Sequence, residues 1–139
     1  MARKKEVFVP TDGRDKEKGQ HYILHEMPAL KAERWALRAL LALAHAGAEI
    51  PDDAAGAGMA AIAHAGFQSL KALKYEEAQP LLDEMLSCIE VVPDPKSPNI
   101  TRPPVMNEME GDDIEEITTL WQIRERIFRL HTAFFLRER

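Results

Sequence analysis

The sequence predicts a mainly α fold: a single helical domain of about four helices with an N-terminal β-hairpin. Three observations predict it. A chain of 139 residues suits one domain, taken here as 1–139, and can bury a core without disulfides or metals. Apolar residues alternate in two short runs near the N-terminus and then recur at helical spacing in four longer segments. Between the last two of these lies a stretch holding Pro93, Pro95, Pro98, Pro103 and Pro104, which no helix can span.

The hairpin is expected at 6–25. Val7 and Val9 alternate with Phe8, and Tyr22 and Leu24 alternate with Ile23. The charged, glycine-bearing "TDGRDKEKG" between them reads as the loop. A helix over 28–46 follows, with Pro28 near its first position, where a missing N–H costs nothing. Leu30, Leu37, Leu40, Leu41 and Ala44 share one face, read as the core side. Lys31, Arg34, Arg38 and His45 share another, a basic ridge that is either a solvated face or a docking surface for an acidic partner.

The tetrad Ala-His-Ala-Gly occurs twice, ending at Gly47 and at Gly66. The first copy reads as a helix stop: His45 suits the negative end of the helix dipole, Gly47 follows as the terminating glycine, and Pro51 blocks continuation. The second reads differently. Met59, Ile62, Gly66, Phe67, Leu70 and Leu73 keep helical spacing through it, so a helix is expected over 52–73, opened by Pro51 with Asp52 or Asp53 as cap. Gly66 inside that helix would cost about 1 kcal/mol relative to alanine. Gly58, Ala61, Ala65 and Gly66 would offer a small-residue surface on which another helix could lie. Different roles argue against a duplicated unit. His45 and His64 lack further ligands at helical spacing, which argues against a metal pair.

A third helix is expected over 75–89, with Leu81, Leu82, Met85, Leu86 and Ile89 facing the core and Pro80 either starting its main part or kinking it. The proline-rich connection at 90–111 contains "IEVV" and "NITR", both candidates for short strands. The C-terminal helix is expected over 112–136, with Asp112 and Glu115 as a capping box and Glu125–Arg129 as an i,i+4 ion pair. Its apolar residues form two stripes. One holds Ile114, Ile117, Trp121, Phe128 and Phe135, and the other Leu120, Ile123, Ile127, Leu130 and Phe134. Together they exceed the stripe of about 100° that a surface helix needs. The second stripe either enters a deep groove of the same core or faces a partner, and Arg124 and His131 between the stripes favour the partner. Trp121, Phe128, Phe134 and Phe135 are then the candidate anchors for protein binding or self-association.

Composition excludes some functions. The net charge of −5 gives no general attraction for nucleic acid. The basic N-terminus lacks the apolar core of a secretory signal, and no apolar run approaches the length of a membrane span. No nucleotide-binding glycine loop, nucleophile elbow or zinc-protease motif is present. Cys88, the only cysteine, lies beside core positions and reads as a buried, inert thiol. The acids of "EGDDIEE" suit a helix N-terminus better than paired acid–base work. Catalytic residues, cofactor and metal are all expected to be none.

Five stretches together resemble the small tail assembly chaperones of long-tailed bacteriophages and prophages. They are "GRDKEKGQHYILHEMPALKAERWALRALLAL", "AEIPDD…GAGMA", "YEEAQPLLDEML", "VVPDP…ITRP" and "DDIEEITTL…FRLHTAFF", spanning about Gly13 to Phe135. The resemblance implies a non-catalytic binder in the bacterial host cytoplasm, absent from the mature particle. Its partners would be the tape-measure protein, which such chaperones coat before tail polymerisation, and the tail-tube protein. Many such proteins have a second, frameshifted form whose extension recruits tube subunits; this chain would be the short form. The client is long and helical, so the binder needs an apolar groove or helix face. The C-terminal helix and the small-residue stretch from Ala54 to Gly66 are the candidates. Two alternatives stand beside this: a structural tail or head–tail connector component of the particle, and a small regulator binding nucleic acid through Lys31, Arg34 and Arg38, against which the net acidity argues.

Overall fold

The computed structural model describes residues 5–47, 58–106 and 111–136. Among these the fold is mixed but mainly helical, with five α-helices and a three-stranded antiparallel sheet. The chain order is β1 (Lys5–Phe8), α1 (Gly13–Glu17), β2 (His21–His25), α2 (Ala29–His45), α3 (Gly58–Ala65), a 3₁₀ segment (Phe67–Ala72), α4 (Tyr75–Met85), a 3₁₀ turn (Leu86–Cys88), β3 (Ile89–Val92) and α5 (Ile117–Leu136).

The expected hairpin is present, with Val7 opposite Ile23 and Phe8 opposite Tyr22. Alternation puts Phe8, Tyr22 and Leu24 in the core and leaves Val7 exposed. Its loop holds the short helix α1. The "IEVV" run is β3, which joins the sheet on the far side of β2 and pairs Tyr22 with Val91. "NITR" contributes only a bridge, in which Arg102 exchanges two backbone hydrogen bonds with Val91. Of the two candidate strands beside the hairpin, the first thus forms and the second contributes only this bridge.

Helix α5 is the centre of the molecule. It touches β1 and β2 on one side and α3 and α4 on another. Ile123, Ile127 and Phe128 are buried there, with Trp35 of α2 edge-on to Phe128 at 6.4 Å between ring centres. Packing on two sides explains why its apolar surface is so wide: both stripes feed the core.

Four sequence expectations need correction. First, α2 turns a different face inward. Trp35, Ala36, Ala39, Leu40 and Leu43 are buried, whereas Leu30, Leu37 and Leu41 are exposed. Trp35 decides the rotation: its indole N–H donates to the Leu81 carbonyl at 3.0 Å, and Ala36 and Ala39 let neighbouring elements approach closely. Second, the helix expected over 52–73 does not run through Gly66. Helix α3 ends at Ala65, Gly66 stands at φ 83°, ψ 158°, and a 3₁₀ segment follows. The amide of Gly66 donates to Ile62, and both the amide and the hydroxyl of Ser69 donate to the Gly66 carbonyl. Both copies of the tetrad are therefore stops, since Gly47 also has positive φ at 96°. The part of that helix over 52–57, with its Asp52 and Asp53 caps, lies outside the described residues.

Third, the helix expected over 75–89 gives up its α form after Met85, tightening into a 3₁₀ turn before β3; Pro80 lies inside α4. Fourth, α5 begins at Ile117 and not at 112, and Asp112–Glu115 is not its capping box. The cap comes from α1. The fully buried Asp15 carboxylate accepts the backbone N–H of Glu115 at 2.9 Å and of Glu116 at 3.1 Å. Lys18 completes this knot through Glu115 at 2.8 Å and the Asp112 carbonyl at 3.0 Å. Glu125 and Arg129 do pair, at 3.2 Å.

Among the described residues no helix is long and apolar enough to cross a membrane.

A candidate protein-binding cleft beside Trp121

Of the four candidate anchors, the structure separates two. Phe128 is only 5% exposed, with Phe67 5.5 Å from it between ring centres, so it belongs to the core. Trp121 is half-buried and forms one wall of an open cleft of about 250 Å³. The side chains of Phe134 and Phe135 lie outside the described residues.

The cleft is built by the turn at Gly66. Breaking α3 there sends the chain into the 3₁₀ segment, which lays Phe67 against Trp121 in an edge-on contact at 5.9 Å. Leu70 and Leu73 continue this floor, and Tyr75, Ala78 and Leu82 of α4 close the opposite side. The lining is thus almost wholly apolar. Tyr75 and, one turn before Trp121, Ile117 are exposed. A cleft of this size takes one or two large apolar side chains projecting from a partner helix.

The Trp121 wall is held by a buried cation. Arg124 places its guanidinium 5.2 Å from the Trp121 ring centre and donates to the Leu82 carbonyl at 3.3 Å, with Asp83 at 3.9 Å. Burial lowers its pKa and the Asp83 charge opposes that shift, while Arg124 stays a cation at neutral pH. Arg124 does not mark a boundary between a core stripe and a partner stripe, because it is itself covered. His131 is likewise engaged: Nε2 accepts the Met27 N–H at 2.8 Å, so Nδ1 carries the proton that reaches the Ile127 carbonyl at 2.8 Å.

A polar cluster at the start of α5 holds the structure together. Arg102 grips the Asp113 carboxylate with two bonds of 2.8 and 2.9 Å, and the Val105 amide donates to the same group. The Tyr22 hydroxyl donates to the Asp113 carbonyl at 2.7 Å. Arg102 holds the Asp113 carboxyl below its ordinary value, chiefly by hydrogen bonding, whereas burial raises the Tyr22 phenol. The Asp113 and Asp15 carboxylates are thus engaged with the chain's own backbone and side chains, fastening the proline-rich connection and α1 to α5. Cys88 is buried, and burial pushes its thiol up to about 11. Among the described residues no group of three or more His, Cys, Asp or Glu side chains forms a metal site.

Sequence reasoning found Trp121 but not its partners Phe67, Leu70, Tyr75 and Leu82, because they assemble only once the chain turns at Gly66. The repeated tetrad was the available signal: had both glycines been read as stops, the turn into Phe67 would have followed. Comparison with protein-family models, with curated proteins and with solved structures finds no match.

Proposed function

We propose that this chain is a non-catalytic tail assembly chaperone of long-tailed bacteriophages, which binds the helical tape-measure protein and helps recruit tail-tube subunits. Two things support the reading: the resemblance that runs from about Gly13 to Phe135, and an apolar cleft of about 250 Å³ open to solvent beside Trp121. The cleft carries the argument, because a client helix needs a reversible apolar seat. Its shallow form suits such a seat better than it suits a small molecule, which prefers enclosure.

The test is co-expression with a fragment of a helical phage tape-measure protein. The chaperone reading expects a soluble complex, a change in Trp121 emission on binding, and loss of binding in Tyr75→Ser, whose exposed side chain can be removed without unfolding. Mass spectrometry of purified particles should not find this chain. Its presence there in stoichiometric amount would make it a structural tail or connector component and sink the chaperone reading.

A further inference from the structure

We propose that the outward face of α2 is a second docking surface, a seam for an acidic amphipathic helix of another protein. The turn of α2 that buries Trp35 and Leu40 leaves Leu30, Arg34, Leu37, Leu41 and Ala44 on the opposite side. Their spacing alternates four and three residues, the pattern of a coiled-coil seam. Leu30 is 57% exposed, Leu37 38% and Leu41 67%, and Arg34 and Ala44 are exposed as well. Single exposed leucines are ordinary, but three in register along a helix, with Arg34 between the first two, are an apolar stripe carrying one cation. The stripe spans about four turns, on the order of 20 Å at 1.5 Å per residue. It lies apart from the Trp121 cleft, to which α2 contributes no lining residue.

Charge identifies the occupant. Lys31, Arg38 and His45 recur every seven residues along one flank of the seam. Lys31 donates to the neutral Ser87 hydroxyl, and Arg38 pairs with Glu84 while remaining 48% exposed. Arg34 sits in the seam itself and pairs with no acid among the described residues. The other flank offers one acid, Glu33. A second copy of this chain fits poorly. Paired in parallel, two seams would set Arg34 against Arg34; paired antiparallel, they would set the two basic flanks together. A helix with leucine-type residues in its seam and Glu or Asp at its flanks meets the basic row and Arg34 with opposite charge.

The probe is a fluorescein-labelled peptide of three heptads with Leu at the a and d positions and Glu at e and g. Its own Glu rows oppose self-assembly. The control peptide carries Lys at e and g. Fluorescence anisotropy with the full chain should show the Glu peptide binding at least about tenfold tighter than the Lys peptide, and weakening as salt is added. The double variant Leu37→Gln/Leu41→Gln should lose this binding with an unchanged melting temperature, since both side chains are exposed. Arg34→Glu should weaken the Glu peptide and strengthen the Lys peptide, while Tyr75→Ser in the cleft should leave both unchanged. Equal binding of the two peptides, or binding of neither, overturns the proposal. So does a parent chain that sediments as a dimer and becomes monomeric in the double variant, which would make a second copy the occupant.

Discussion

Replacing Gly66 by alanine separates two conformations of the segment 58–73. At φ 83°, ψ 158° the backbone of Gly66 lies in a region that residues bearing a Cβ essentially never occupy. A Cβ built there meets no atom of the rest of the fold within 4 Å, so the penalty is local backbone strain alone. That strain is worth about 1–3 kcal/mol. A continuous helix through Gly66 would give the opposite sign, because alanine stabilises a helix interior by about 1 kcal/mol over glycine. For a chain of this length the broken helix corresponds to a melting temperature lowered by about 3–15 °C. Asparagine supplies a second arm. It tolerates the left-handed helical region, where ψ is near +47°, but not a ψ of 158°. Gly66→Asn should therefore be about as harmful as Gly66→Ala. Thermal melts followed by circular dichroism measure both. A Gly66→Ala variant that melts at or above the parent would refute the turn, and with it the origin assigned to the Trp121 cleft.

Four further outcomes are expected. Asp15→Ala removes the cap from the Glu115 and Glu116 amides and should destabilise the fold by about 1–3 kcal/mol in chemical denaturation; an unchanged midpoint would mean that the α1–α5 knot is idle. Asp113 has a folded pKa below its unfolded value of about 4, so its contribution is full above that unfolded value and is lost as pH falls through the folded one. Arg102→Ala should flatten that part of the acid limb of the stability curve, and an identical limb in parent and variant would contradict the assignment. Cys88, with its thiol near 11, should react with a thiol reagent at neutral pH only as fast as the chain unfolds; rapid labelling of the folded chain would mean that it is accessible. Phe128→Ala empties a core position between Trp35 and Phe67 and should cost about 3–5 kcal/mol, read as a large drop in denaturation midpoint. A folded, stable Phe128→Ala with impaired client binding would return Phe128 to the surface.

The hairpin was legible because alternation is local: Phe8, Tyr22 and Leu24 announce one inward face within a few residues. That "IEVV" would pair with β2 was not legible, since the pairing joins Tyr22 to Val91 across the whole helical middle of the chain. The α2 face was misread for a physical reason. Leucines occupy both sides of that helix, and counting them cannot show that Trp35 finds the Leu81 carbonyl. At Gly66 the apolar spacing is compatible both with one helix and with a helix followed by a 3₁₀ segment, because Phe67, Leu70 and Leu73 recur every three residues, a spacing that shares a face in either form. The capping expectation failed for a different reason. Asp112 and Glu115 have the right spacing, but Asp15, a hundred residues away, already takes the Glu115 amide that Asp112 would serve. Trp121 could be singled out from the sequence, whereas its role as a wall depended on these long-range contacts.

The width of the apolar face on α5 carries less binding potential than its residue count suggests, and places it at one end. Sheet on one side and helices on the other consume Ile123, Ile127 and Phe128. Leu130 further along is half-buried, but what is most open among the described residues is the first two turns, where Ile117 is exposed and Leu120 and Trp121 are half-buried. That end is also the part of α5 fixed most firmly. Asp15 caps it, Lys18 and Arg14 hold Glu115 and Glu116, and Asp113 ties its approach to Arg102 and Tyr22. Arg124 then orients the indole from the next turn. A wall held in this way loses little side-chain freedom when a partner arrives, so more of the apolar contact energy appears as affinity. The opposite wall is less covered: Phe67, Leu70 and Leu73 of the floor are buried in the core, whereas Tyr75, which closes the cleft from α4, is exposed. Adjustment of the cleft to a partner would therefore fall on the exposed Tyr75 side chain, with Trp121 as the fixed reference.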